Sequence, residues 1–477
     1  MSYQKLSRRA FLKLSAGMGA ATLLAACTVT APPAGPQEAA KEAAATPVPP
    51  TPTPAPEEPT PAPTAAPSIY GVGAQEVVVW YQDWDGARRI LTAFTPTFVE
   101  QHPETTINLQ AIEYSNLFAK MLPSIAAGTE GDVMMMYTDW IVGTDITQVF
   151  LDLTDIAGGA QAWEEKMWPA AFTAVDAPGG KVFYLPWLAG IRGAALTVNT
   201  DHLAEQSIDY LNFKTFEDVL AAGEALTQRN SDGKITRSGY SPRSSQYQLL
   251  WGFIWQLGGN FFDAETGKWF HSTPEGEAAA EILLNVYTKN KTCDFELFTS
   301  EFEAVSQQLV SIWGDGAWTA SVQNDVAQVP ADNIVTPLLA EAKEQVLYPQ
   351  HQAGWGLSRR LGENPDKLTV ALDYALGLVG PDATIQAFDF YSGVCMTKAV
   401  YADPRIEQVK YGLMSKRLAE GMWPLARYSR DHVANHGPAA TELDRAMRQE
   451  IGIKEALANM DAYLQEQEDQ ARERIGI

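Results

Sequence analysis

The first long apolar pattern begins near residue 75. Residues 76–81, EVVVWY, form a β-branched and aromatic run that predicts a buried strand. Over residues 87–101, Ile90, Leu91, Phe94 and Phe98 recur at the spacing of one helical face. Residues 106–112 alternate as a half-buried strand does. Residues 116–127 read as a helix closed by Gly128, and residues 133–137 (VMMMY) as another buried strand. Strand, helix, strand, helix, strand predicts a parallel α/β sheet, in which ligands meet the carboxyl ends of the strands. Three segments after strands carry groups suited to a site: residues 80–84 (WYQDW), 138–140 (TDW) and 185–187 (LPW).

A second unit starts after Arg192. Residues 194–199 are strand-like, and residues 216–229 form an amphipathic helical pattern ended by NSDG. Helical patterns follow at 248–257, 275–288, 302–309, 369–378 and 384–391. Residues 440–474 form a charged amphipathic helical region.

Before residue 75 the composition differs. Lys5, Arg8 and Arg9 form a basic head, followed by an apolar and small-residue stretch up to Ala26, which reads as an export signal. The run SRRAFLK at 7–13 resembles the twin-arginine export motif, and Leu24-Ala25-Ala26-Cys27 resembles a bacterial lipobox, which implies cleavage at 26 and lipidation of Cys27. Residues 31–67 are rich in Pro, Ala, Thr and Glu. Such a stretch buries no core and favours extended polyproline conformations, giving a tether of about 3.1 Å per residue. The expected location is therefore extracytoplasmic, on the membrane through acyl chains.

Charge narrows the partners. The chain carries 58 acidic against 35 basic side chains, net −23, which disfavours nucleic acid. Apart from Cys27 there are two cysteines, Cys293 and Cys395, which permit at most one disulfide. No CxxC and only six histidines point to no zinc or haem site, and no cofactor is expected. GxSxG and P-loop signatures are absent.

Several ordered segments resemble the extracellular solute-binding proteins of ABC sugar importers, the maltodextrin-binding type. Ala126-Ala127-Gly128 with Gly131-Asp132-Val133 is similar to the family's "aaG…PDV" segment, although Gly131 replaces its proline. Residues 180–186 (GKVFYLP) resemble its "GKvYgLP" turn, and residues 196–203 (LTVNTDHL) its "l.yNkdlf" strand. Residues 215–219 (TFEDV), 314–318 (GDGAW), 353–357 (AGWGL) and 403–406 (DPRI) follow in the family's order. The resemblance implies a periplasmic-binding-protein-like α/β fold. Two lobes, residues 70–190 plus 351–395 and 191–350 plus 396–477, are joined by a hinge and enclose a cleft. By analogy the chain crosses near 190–193, 349–353 and 393–396. It further implies a monomer that binds a small solute, a sugar above all, and delivers it to importer permease subunits.

A sugar offers hydroxyls at its edge and weakly apolar C–H faces, so aromatic rings together with carboxylates, amides and arginines suit it. With 13 tryptophans, the chain has such rings to spare. Tyr81, Asp83 and Trp84 follow the first strand and are candidate contacts; Trp80 beside them is core or contact. Asp139 and Trp140 end the third strand, where Asp139 contacts ligand or caps a helix. Trp187 follows a proline turn, and Arg192 at the hinge bonds a ligand or an acidic partner. From the resemblance, Asp315 and Trp318 in the GDGAW turn, Trp355, and Trp423 and Arg427 in a late loop face the cleft. The mainly Trp and Asp character points to a neutral polyhydroxylated ligand. Two alternatives stay open. One is an exported glycosidase or lyase, which needs two carboxylates flanking the scissile bond. The other is the same fold binding a polyol, a peptide or an organic anion, with an adhesion role as a third option.

Overall fold

The computed structural model describes residues 68–137, 149–156, 165–168, 176–177, 181–299, 301–429 and 436–475. The expected sites at Cys27, Asp139 and Trp140 lie outside these residues.

The chain opens with β1 (Ile69–Tyr70), β2 (Gln75–Gln82), α1 (Asp85–Gln101), β3 (Thr105–Ile112), α2 (Tyr114–Ala127) and β4 (Val133–Tyr137). From β2 onward these match the predicted patterns, the helices and β3 through one buried side and β4 through burial on both. Val77, Val79 and Trp80 of β2 and all of β4 are buried, as are Ile90, Leu91 and Phe98 of α1. Gly128 ends α2 in the left-handed conformation (φ 67°) that closes helices at low steric cost. β5 (Leu185–Arg192) then leads into β6 (Ala195–Asn199), α3 (Phe216–Leu226), β7 (Ile235–Ser241), α4 (Gln246–Gln256), α5 (Pro274–Thr288), β8 (Val310–Gly314) and β9 (Ala331–Val335). Last come β10 (Gln350–Leu357), α6 (Pro365–Val379), β11 (Val394–Cys395), α7 (Gly412–Met422), α8 (Gly437–Met447) and α9 (Ile453–Ile475).

Seven strands form the first sheet, in the order β1-β3-β2-β4-β10-β5-β11. β3, β2 and β4 are parallel, as expected. The sheet as a whole is mixed: β10 runs antiparallel between β4 and β5, and β11 runs antiparallel to β5. Local periodicity could not show this, because β10 arrives from far along the chain to complete the sheet. A second sheet takes the order β9-β6-β8-β7, with the short strand Gln228–Arg229 at its edge.

Two separate hydrophobic cores follow from the two sheets. The first gathers residues from Val77 to Ala195, then Ala317, Leu347 and Ala353 to Tyr428; the second draws on Leu196 to Tyr348 and takes up α8 and α9. Core membership along the chain changes mainly at Ala195–Leu196 and between Tyr348 and Ala353. The third crossing differs. Val394, Cys395, Met396, Val400 and Trp423 all pack in the first core, so the expected boundary at 395 moves to between Tyr428 and Ala439. The reason is packing: β11 pairs with β5, and α7 packs on β11 while also touching β9 of the second sheet. Cys293 lies in the second core and Cys395 in the first, both as free buried thiols, so they do not pair.

The first crossing is a tight turn. Gly193 sits at φ 82° and Ile191 at φ 47°, a left-handed position that strains a β-branched residue. Ile191 is fully buried, and the Ala194 N–H donates to its carbonyl at 3.1 Å.

The last helix docks on the second core through a polar clamp. Asp461 of α9 accepts from the His271 N–H (2.6 Å), from His271 Nδ1 (2.7 Å) and from the Ser272 N–H (2.9 Å). Trp251 Nε1 donates to His271 Nε2 at 2.6 Å. Because indole N–H only donates, Nε2 is the acceptor and the imidazole proton sits on Nδ1, facing the carboxylate. Burial alone pushes the Asp461 carboxyl up, but the bonds from His271 and Ser272 outweigh it and hold it below the usual carboxylate range.

Candidate functional site

A cavity of about 960 Å³ opens where the carboxyl ends of the first sheet face the segment that follows β8. β2 contributes Gln82, and β4 contributes Tyr137; their side chains hydrogen-bond to each other. Trp84, Asp85, Gly86 and Arg89 come from the first turn of α1 and its entry, and Tyr114 from the start of α2. Across from them stand Trp318, Ser321, Val322, Asp325 and Val326. Phe390, Tyr391 and Lys410 close a third side.

Aromatic surface dominates the walls. The Trp84 and Tyr391 rings lie 5.8 Å apart at 53°, and Tyr114 meets Tyr137 edge-on at 5.6 Å. Three hydrogen bonds from a buried serine and a buried asparagine hold the facing segment in place. Ser392 Oγ donates to the Ala317 carbonyl at 2.5 Å, and Asn333 Nδ2 donates to the same carbonyl and to that of Ser392. Arg417 of α7 reaches Asp332 (2.6 Å) and the Asn333 carbonyl (2.7 Å), again joining first-core and second-core elements.

Each cation of the cavity is paired with a carboxylate, while the lining Asp389 accepts from the Lys410 backbone N–H. Arg89 Nε lies 2.7 Å from Asp85, and Lys410 pairs with Asp325, which also accepts from the Tyr411 hydroxyl at 2.9 Å. Arg192 Nε lies 3.0 Å from Asp315 Oδ1, too poorly aligned for a linear hydrogen bond. The same guanidinium lies over the Trp318 ring, 5.1 Å from its centroid. Burial pushes the Asp315 carboxyl up, and the Arg192 charge opposes that shift without cancelling it. Sequence reading expected few cations here. Three are present, each already matched by a carboxylate, and Asp389 leaves the lining with one carboxylate in excess. A neutral guest with hydroxyl groups loses less to desolvation here than an anion would.

Asp315→Asn should uncouple fold from binding. A carboxyl whose folded pKa is raised favours the folded state only at low pH, so at pH 7 the buried charge costs stability. The variant is expected to melt at the same or a higher temperature than wild type at pH 7. That advantage should vanish as pH falls through Asp315's raised pKa. Released from its partner, Arg192 should wander from Trp318 and weaken solute binding by about fivefold, on the order of 1 kcal/mol. Thermal melts against pH, with calorimetric titration, would check both halves.

The twelve expected ligand residues fall into three groups. Trp84, Arg192 and Trp318 line the cavity, and Asp315 stands directly behind Arg192. Asp139 and Trp140 lie outside the described residues. The rest sit elsewhere. Tyr81 points into the first core and Asp83 pairs with Arg88 on the surface. Trp187 and Trp355 are fully buried against each other, ring centroids 5.2 Å apart, because both strands are central in the sheet. Trp423 is buried beside Trp168, and Arg427 covers the Trp255 ring at 4.7 Å. Trp80 is core, with Lys120 Nζ 3.9 Å above its ring.

Tyr114 and Tyr137 were not expected from the sequence, although both sit at or just beyond strand carboxyl ends, and Gln82 was included only within the 80–84 segment. That rule, applied residue by residue, would have found them. Asp325, Tyr391 and Lys410 had no such signal; long-range packing alone brings them to the cavity. Among the described residues no group of three His, Cys, Asp or Glu side chains could hold a metal, and no helix is long and apolar enough to cross a membrane.

A hinged pair of α/β lobes enclosing a cavity with aromatic walls and matched cations defines a solute-binding protein. The sequence pattern of the bacterial extracellular solute-binding protein family matches residues 84–343, and the chain belongs to that family. No curated protein matches it in sequence. Solved structures share its fold. Maltose-bound MalE3 of T. maritima is similar at TM-score 0.63 and 17% identity, over 82% of this chain and 98% of that one. The cyclic alpha-maltosyl-1,6-maltose binding protein from Arthrobacter globiformis gives 0.65 and 17%, over 83% and 99%. An ABC transporter solute-binding protein from Agrobacterium radiobacter K84, in complex with ribitol, gives 0.62 and 14%, over 83% and 99%.

Proposed function

We propose that this protein captures a neutral sugar or short oligosaccharide in the cavity between its lobes and presents it to an ABC importer, without chemical change to the solute. One observation carries the reading: about 960 Å³ of space walled by indole and phenol rings, with every lining cation already matched by a carboxylate. Rings serve the C–H faces of a pyranose, and the paired side chains keep spare donors and acceptors for its hydroxyls. The family supports solute capture, and fold relatives that hold maltose or ribitol, or are named for binding cyclic alpha-maltosyl-1,6-maltose, support a polyhydroxylated guest. Contacts from both lobes form together only when the lobes approach, so the guest shifts the population toward the closed form.

Length is a further part of the proposal. A second cavity of about 490 Å³ shares Arg192 and Gln350 with the first, which favours a guest of more than one ring. Lipidation of Cys27 would hold the protein outside the cytoplasm, with the Pro-rich segment as a spacer.

The test is a thermal-shift and calorimetry panel of mono- to tetrasaccharides, polyols and simple organic anions. A raised melting temperature with one class of neutral sugar is expected, and chromatography of the incubated sugar should recover it intact. Tight binding of an anion, or cleavage products, would overturn the reading. For the anchor, mass spectrometry of the mature N-terminus should find acylated Cys27, and Cys27→Ala should release the protein from membranes.

A further inference from the structure

Both tryptophans at the cavity are folded over a glycine two positions away. A Cβ built on Gly86 would lie 1.8 Å from a Trp84 ring carbon, and one built on Gly316 would lie 1.6 Å from a Trp318 ring carbon. Carbon atoms in contact stand about 3.5–4.0 Å apart, so neither ring keeps its place if the glycine gains a methyl. At each position the three nearest atoms all belong to that ring. A third cavity ring repeats the arrangement: Tyr391 lies 2.4 Å from a Cβ built on Gly393.

The backbone does not ask for glycine at Gly86 or Gly316. Neither has a positive φ. Gly86 sits in the first turn of α1, where alanine is the better helix former by about 1 kcal/mol. Folding alone would favour alanine there, so the missing side chain must serve the ring. We propose that Gly86 and Gly316 are positioning residues for solute binding. They let Trp84 and Trp318 lie flat on the main chain, which fixes the tilt of each ring and the width of the gap between the lobes. The role in binding rests on the sugar-site reading; the seating of the rings does not.

The experiment uses Gly86→Ala and Gly316→Ala, with Gly452→Ala as control, since a Cβ there meets nothing within 4 Å. Unliganded Gly86→Ala and Gly316→Ala should change the near-ultraviolet circular dichroism, and the control should not. The change should disappear when the facing ring is also replaced, as in Gly316→Ala with Trp318→Phe. Affinity for the best sugar of the panel should fall about tenfold in each, while the melting temperature of Gly86→Ala holds or rises. In a Trp318→Ala background, Gly316→Ala should have no further effect on affinity, because the glycine acts only through the ring. Unaltered spectra in both glycine variants would overturn the proposal whether or not any sugar binds. Altered spectra with unaltered affinity would overturn its link to binding. A wild-type protein that binds no sugar would count against the cavity reading alone, and the spectra would still decide the seating of the rings.

Discussion

Trp318→Ala is expected to raise the Kd for the bound sugar about a hundredfold, while the unliganded protein melts within a few degrees of wild type. Trp318 is half-buried at the cavity wall and carries the Arg192 guanidinium over its ring. Its truncation removes a platform and leaves the arginine without a face to rest on, but opens no void in either core. Trp355→Ala makes the contrast. That ring is fully buried and packs on Trp187, so its removal leaves a cavity in the first core, at a cost of about 3–5 kcal/mol. Calorimetric titration and denaturant unfolding of the two variants separate the effects. Equal affinity in wild type and Trp318→Ala would remove the ring from the site, and Trp355→Ala with native stability would mean the sheet packs otherwise.

The second large effect concerns the clamp on the last helix. Asp461→Ala should destabilise the second core by about 3 kcal/mol, since it leaves two donors of the buried His271 without an acceptor and frees the exposed Ser272 N–H. Asp461→Asn keeps an oxygen but loses the charge, and should cost roughly half as much. The pH dependence follows from the lowered carboxyl. A carboxylate whose folded pKa is depressed contributes stability above its unfolded pKa and loses it as pH falls through the folded one. The gap between wild type and Asp461→Asn should therefore be constant near neutrality and close below about pH 4. Urea unfolding across that range measures it; a gap that widens in acid would contradict the assignment of the charge.

Much of the fold was readable wherever one face of an element is buried and the next element is close in sequence. α1, β3 and α2 were legible for that reason, β2 and β4 as short continuous apolar runs, and Gly128 marks a stop. The placement of β10 and β11 was not, because an antiparallel strand inserted from hundreds of residues away has the same local pattern as any other. Residues 384–391 read as one helix, but the structure ends it at Ala387 and turns Phe390 and Tyr391 into the cavity. Tryptophans were the hardest to place. Trp84 and Trp318 and the buried pair Trp187 and Trp355 share a residue type and a flanking of small or turn residues. Only the position of each strand within its sheet tells a platform from a core. Glycine gave no signal at all at positions 86 and 316, because the reason for it is a ring that folds back from the same short turn.

The division of the cores sets an order of assembly. The second core is nearly one continuous piece of chain, from Leu196 to Tyr348, awaiting only α8 and α9. The first is interrupted: Ala195 must wait for Ala353 before β10 can slide between β4 and β5. Contacts that close so long a loop form late. The emerging polypeptide should thus hold β4 and β5 as exposed, unsatisfied edges until the interrupting lobe has been made, and a chaperone that shields those two edges would have the most to gain.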